Sequence, residues 1–227
     1  MSMLFLVKNI VRGVVISCCA IFVFTTIVYS CYLSARQVTS VGTVFYILVS
    51  GESHVAASVE NIKLQGGAGY VLSKEDKKYV VLSVHTNEND CTNVYARLLE
   101  LGVNVSPLQI GVKTLYFPKS KKGGASTYIG ALEILKGYIC VLEQCIILLD
   151  SGETQENVKR ILKPVKRQLQ LLSDSYKSKY WDFSIACGTL ALRLGENTKG
   201  IIYAKDLRYT LCSMVDEYLG LCNPFLI

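Results

Sequence analysis

Tyr46-Ile47-Leu48-Val49-Ser50 and Tyr79-Val80-Val81-Leu82-Ser83 are two versions of one short motif, and their repetition decides how the rest of the chain is read. Each is an apolar run opened by tyrosine and closed by serine. A polar break follows each, Gly51-Glu52-Ser53-His54 in the first copy and residues 85–90 in the second. A helix-like run comes next, over residues 55–64 and 91–101. Each run stops at glycine, Gly66-Gly67 and then Gly102. A second short apolar run, residues 68–72 and 103–105, completes each copy. Strand, helix, strand, twice over, predicts a small α+β unit with helices on one face of a sheet. Both leading strands are apolar on both faces, which suits central strands. Asn89 or Asp90 is placed to cap the second helix. Pro107 puts the last strand at a sheet edge or restarts it.

The chain has 227 residues, enough for one or two domains with a real core. Its hydrophobic content of 51% and mean hydropathy of +0.33 are high for a soluble protein. The source is residues 14–35, VVISCCAIFVFTTIVYSCYLSA, which carry no charge. About 22 residues at ~1.5 Å each span a bilayer core of about 30 Å. Lys8 and Arg12 precede the run and only Arg36 follows closely. The positive-inside bias then puts the amino terminus in the cytoplasm and the bulk of the chain outside. The expectation is a cytoplasmic stub and single-pass transmembrane helix within residues 1–36, at the cell membrane. A cleaved signal peptide is the rival reading. Against it, the run exceeds the roughly 7–15 residues of a signal h-region, and no small-x-small cleavage site follows.

Net charge is +6, with Lys119, Lys121 and Lys122 the main cluster. No aromatic-basic motif accompanies it, so nucleic acid is not an expected partner. Outside a membrane, a mildly basic surface suits acidic wall polymers and lipids instead. Of the nine cysteines, Cys18, Cys19 and Cys31 lie in the uncharged run. Cys91, Cys140, Cys145, Cys187, Cys212 and Cys222 lie beyond it, with no C-x-x-C pair. An outside location permits disulfides, whereas apolar flanks favour buried free thiols. Only two histidines are present, His54 and His85, neither at metal-ligand spacing from a Cys or carboxylate. Gly66-Gly67-Ala68-Gly69 lacks the Lys-Ser/Thr of a phosphate loop and reads as a helix end. No G-x-S-x-G occurs. The chain is expected to be no enzyme, with no catalytic residues, metal or cofactor.

Residues 37–42 read as a short tether, 74–78 as a charged turn and 118–126 as a linker rich in Pro, Gly and Lys. Residues 127–227 are helical in character and are expected to form a separate bundle of antiparallel helices. Leu132, Leu135, Ile139, Leu142, Ile146 and Leu149 form a helical stripe. Glu133, Lys136 and Glu143 oppose a second membrane span. Glu133, Glu143 and Glu153 read as helix-surface or helix-end charges. A second helix carries the stripe Val158, Ile161, Leu162, Val165, Leu169 and Leu172, with Pro164 as a kink. Its other face holds Lys159, Arg160, Lys163, Lys166 and Arg167. That face is either simply solvated or a contact for an anionic surface.

The order FYILVSG (residues 45–51), Ala56-Ala57, Gly66-Gly67-Ala68-Gly69-Tyr70, KYVVLSV (78–84) and Leu98-Leu99-Glu100-Leu101-Gly102-Val103 resembles the SPOR domain family of bacterial envelope proteins. The resemblance covers residues 43–112. It implies a βαββαβ, ferredoxin-like domain over residues 43–117 that binds peptidoglycan glycan strands stripped of stem peptides, in cell division or sporulation. Leu48 and Val81 stand where that family often carries polar residues. By alternation, the exposed sheet face is expected to hold Tyr46, Leu48, Ser50, Tyr79, Val81, Ser83 and His85, opposite Ile47, Val49, Val80 and Leu82. Tyr70 is expected to join from the neighbouring strand. Tyr46, Ser50, Tyr70, Tyr79, Ser83 and His85 are thus the candidate glycan-binding residues. The alternative is a non-enzymatic interaction scaffold of the envelope, whose sheet face packs on another domain or partner, with the helical part free to bind an envelope protein.

Overall fold

The computed structural model describes residues 36–50, 55–74, 77–118 and 124–226. The elements run β1 (Arg36–Ser50), α1 (Val55–Leu64), β2 (Tyr70–Lys74), β3 (Lys77–His85), α2 (Glu88–Glu100) and β4 (Val105–Pro118). They continue with α3 (Gly124–Asp150), α4 (Gln155–Tyr176), α5 (Trp181–Asn197), α6 (Ala204–Cys222) and a 3-10 turn at Asn223–Phe225. The strands form one antiparallel sheet in the order β2-β3-β1-β4. The two tyrosine-led strands, β1 and β3, are central. β4 is an edge strand, where Pro107 lies opposite Leu48 and its missing N–H costs the sheet nothing internal.

Local chemistry explains the boundaries. α1 ends where Gly66 adopts a φ of +84° and Gly67 N–H donates to Ile62 O at 2.8 Å. A Cβ on Gly67 would lie 2.5 Å from Ile62 Cγ2, so the second glycine lets the chain pass tightly over its own helix. Ala68 N–H then bonds Leu82 O at 2.9 Å and brings the chain into the sheet. α2 starts earlier than Asn89 or Asp90. Asn87 is its cap, and its side chain accepts from Asn89 N–H at 2.8 Å. α4 continues through Pro164.

The expected α+β architecture of a self-contained SPOR-like domain followed by a separate helical bundle is corrected. About 62% of the described residues are helical, in six α-helices beside a four-stranded sheet. No helix among the described residues is long and apolar enough to cross a membrane, and the run at 14–35 lies outside them. The sheet and the later helices do not have separate cores. Phe45, Ile47, Val49, Val81, Ile110, Val112, Leu115 and Phe117 are buried in one cluster with Leu132, Leu135, Ile139, Leu190, Leu211, Met214 and Tyr218 of the helices. The physical reason is that both sheet faces are apolar, and water is a poor cover for either. A smaller cluster of Leu48, Ile62, Val80, Leu82, Cys91 and Val105 lies under α1 and α2.

β1 alternates as expected, but the expected matching of its faces with those of β3 fails. Tyr46 and Leu48 share the α1/α2 side with Val80 and Leu82, while Ile47 and Val49 face the bundle with Val81. The register shift accounts for this: Leu48 pairs with Ser83 but Val49 with Val81, so Leu82 is an extra residue in β3. An extra residue at a bulge inverts the parity of one strand relative to its neighbour. The tether at 37–42 is instead the start of β1, paired from Arg36↔Pro118 to Ser40↔Thr114. The charged turn falls between β2 and β3, which pair up to Lys74↔Lys77, and residues 75–76 and the middle of the linker, 119–123, lie outside the described residues.

α6 is fastened to β1 by Tyr218. Its hydroxyl is 3.1 Å from Thr43 Oγ1 in a buried hydrogen bond, and its ring meets Phe45 edge-on at 5.5 Å. Tyr128 of α3 donates to Leu221 O at 2.9 Å within a cluster of rings from Phe117, Tyr180, Phe183 and Phe225. All six cysteines among the described residues are free thiols.

A shared core has a direct consequence. A chain ending at Pro118 leaves the bundle side of the sheet bare and is expected to aggregate, whereas residues 36–227 fold. Tyr218→Phe should cost about 1 kcal/mol for the lost hydrogen bond, and Tyr218→Ala about 3–5 kcal/mol. Urea unfolding followed by circular dichroism measures both.

Candidate functional site

A cleft of mixed chemistry lies where β3 ends between the two helical layers. It encloses about 470 Å³. Its walls are Val94 and Leu98 from α2 with Leu101 at its C-cap, Ile146 and Ile147 from α3, and Leu211 from α6, along with Leu82 and Val103. Polar groups converge at two places, as ligand pockets commonly have it.

The first is at the end of β3. Ser83 Oγ lies 3.0 Å from His85 Nε2, and His85 Nδ1 lies 3.3 Å from Glu143 Oε1. Thr86 completes the cluster. Its N–H donates to both Glu143 oxygens, at 3.2 and 3.1 Å, and its hydroxyl donates to Oε2. Glu143 is only 4% exposed. Burial by itself raises its carboxyl pKa, yet the hydrogen bonds from His85 and Thr86 outweigh that and hold it below the ordinary carboxylate value. The second place is at the opposite wall. Arg208 Nη1 donates to Gly66 O at 2.8 Å, and its other nitrogen pairs with Asp150. Arg208 therefore ties α6 to the end of α3 and to the glycine turn after α1.

Ser83, His85 and Glu143 stand in the order hydroxyl, imidazole, carboxylate that hydrolytic triads use. The surroundings differ from such a site. Ser83 is 6% exposed, and the glycine N–H groups of the lining, at Gly66 and Gly67, both bond α1 carbonyls. What the arrangement does is clamp β3 to α3 across the layers.

The candidate residues are divided by the fold. Ser83 and His85 are together. Tyr46 lies on the α2 side, its hydroxyl donating to Glu88 at 3.4 Å. Tyr70 and Tyr79 pack against the bundle-side core. Tyr70 OH donates to Asp216 at 2.6 Å, and its ring meets Tyr209 edge-on at 5.2 Å. Burial and the Asp216 carboxylate push its hydroxyl pKa well above the usual tyrosine value. Ser50 is half-buried at the end of β1. No continuous tyrosine face exists among them.

Glu143 corrects a second expectation, since it is a buried partner and not a surface charge. The signal was present in the sequence. It is the one charged residue between Ile139 and Leu149 and falls beside Leu142 and Ile146 on the apolar stripe. Its partner His85, 58 residues earlier, could not be inferred. No group of acidic, cysteine or histidine side chains among the described residues has the arrangement of a metal site. Comparison with known proteins finds no match: no protein-family model, curated protein or solved structure corresponds to this chain.

Glu143→Ala should cost roughly 3 kcal/mol, because it strands a buried Thr86 N–H and the His85 ring. The lowered pKa gives the pH dependence its sign. The stabilising contribution is complete above the unfolded carboxylate pKa of about 4.3 and is lost as pH falls through the lower folded value. Unfolding free energies of wild type and Glu143→Ala should therefore converge in strong acid, measured by urea titration across the acid range.

Proposed function

We propose that the chain is a non-enzymatic interaction scaffold of the bacterial envelope, held at the membrane through the uncharged stretch 14–35. The observation that carries this reading is the doubly covered sheet. In the SPOR-like arrangement the glycan would lie on the face opposite α1 and α2. Here that face carries Phe45, Ile47, Val49 and Val81 buried against α3–α6. Sugar hydroxyls have no place in a dry apolar layer. The chain's own helices take the position of the partner. What remains for an external protein is the cleft between α2, α3 and α6, whose rim leaves Leu101 76% and Ile147 43% exposed. An apolar side chain of an envelope partner would enter there.

A second reading keeps glycan binding at another place. A shallow pocket of about 310 Å³ between α2 and β4 is lined by Tyr46, Tyr95, Glu88 and Gln109. Two rings beside polar groups are the usual means of holding a sugar.

Pull-down with purified sacculi separates the two. The scaffold reading expects no enrichment of the purified chain on sacculi, whether or not an amidase has removed their stem peptides. Enrichment on stripped sacculi that Tyr46→Ala and Tyr95→Ala abolish, with folding retained, replaces it by the second reading. Protease added to intact spheroplasts should degrade residues beyond 36; their protection would remove the envelope assignment altogether.

A further inference from the structure

A groove far from the cleft carries a second binding surface. It lies between α4 and the end of α5 and encloses about 620 Å³. Its walls hold Lys159, Arg160, Lys163 and Lys166 from α4 and Lys199 from beyond α5, with Glu156 as the one carboxylate. Glu156 is engaged with Lys159, at 2.9 Å. Arg160 bonds the side chain of Asn157. Among the described residues, Lys163, Lys166 and Lys199 make no ion pair.

The arrangement is costly as a bare surface. Lys159 and Lys163 are four apart on one helix, and Lys163 and Lys166 three apart. Like charges at those spacings repel. Burial does not dictate them, since the buried stripe of α4 is Val158, Leu162, Val165 and Leu169. One of them reaches the neighbouring helix. Gly195 sits in the last turn of α5. A Cβ there would meet Lys166 Nζ at 2.9 Å and Cε at 3.0 Å. The Lys166 side chain thus reaches α5 and sets its ammonium over Gly195, bringing a cation from α4 to the opposite wall.

We propose that this groove binds a linear phosphate-bearing polymer. Charge complementarity requires an anion, and shape selects its kind. The cations line a concavity between two helices, which a flat bilayer surface cannot enter but a strand can. From Lys159 to Lys166 the row extends ~10 Å along the helix, longer than one phosphate group. Cations from both walls can reach different oxygens of a tetrahedral phosphate, each lysine acting as a point charge. The scaffold reading supplies the setting in which such polymers are met, but the binding chemistry does not depend on it.

The test uses the full chain in non-ionic detergent with medium-chain polyphosphate as probe, read by calorimetry and thermal unfolding. Polyphosphate should bind, raise Tm, and lose affinity between about 50 mM and about 300 mM salt. Lys163→Gln with Lys166→Gln should weaken binding by about tenfold or more and raise the Tm of the unliganded chain, because repulsion is relieved. Lys199→Gln, on the other wall, should weaken binding as well. Lys177→Gln with Lys179→Gln, exposed and outside the groove, should leave it unchanged. Equal weakening by that control pair would show diffuse attraction and overturn the site. So would an equal Tm rise from orthophosphate at matched phosphate, which denies the polymer. Binding to vesicles of mixed neutral and anionic phospholipid, with none to polyphosphate, would assign the face to a membrane instead. Because purified components are used, absence from the envelope in cells would leave these outcomes unaltered.

Discussion

The structure depends on covering the second face of its sheet. Phe45, Ile47 and Val49 of β1 and Ile110 and Val112 of β4 form an apolar surface that α1 and α2 cannot reach, because those helices lie on the other side. Each such side chain is worth about 1.5–3 kcal/mol when removed from water. A four-stranded sheet that left all of them exposed would be unstable or would recruit another chain. Here α6 crosses this face with Leu211, Met214, Val215 and Tyr218, and α3 backs it with Leu132, Leu135 and Ile139. The βαββαβ part and the helical part are therefore halves of one hydrophobic core.

Polar contacts give that apolar packing a defined placement. A greasy interface tolerates sliding, whereas a buried hydrogen bond has one geometry. Thr43–Tyr218 sets α6 against β1, Tyr70–Asp216 sets it against β2, and Glu143 holds α3 against the end of β3 through His85 and Thr86. Among the described residues no buried side-chain polar atom lacks a partner. These contacts also bear on function. Tyr70 and His85, which alone would suggest a sugar-binding face, are already engaged by the chain's own acidic residues, and the cleft and the basic groove lie at the margins of the shared core.

Much of this was legible in the residues. Tyrosine-led apolar runs marked the central strands, Gly66-Gly67 and Gly102 marked helix ends, and the spacing of Leu132 to Ile146 and of Val158 to Leu169 marked buried helix stripes. These features are local. Side-chain period, a glycine at positive φ and a missing N–H on proline act within a few residues, so the sequence by itself determined the succession of strands and helices and the apolar character of both sheet faces.

Only the tertiary structure decided what covers those faces and which polar groups meet. The bulge opposite Leu48/Val49 inserts Leu82 into β3 and shifts its parity against β1 by one residue, and nothing in an unbroken apolar run reveals such a shift. The pairing of His85 with Glu143 joins residues far apart in the chain. The bundle's position on the sheet likewise depends on long-range apolar contact, which is non-directional and chooses a partner by available area and shape. That is why the chain could be read as a domain, a linker and a bundle, while its folded form is one core with two helical layers around a sheet.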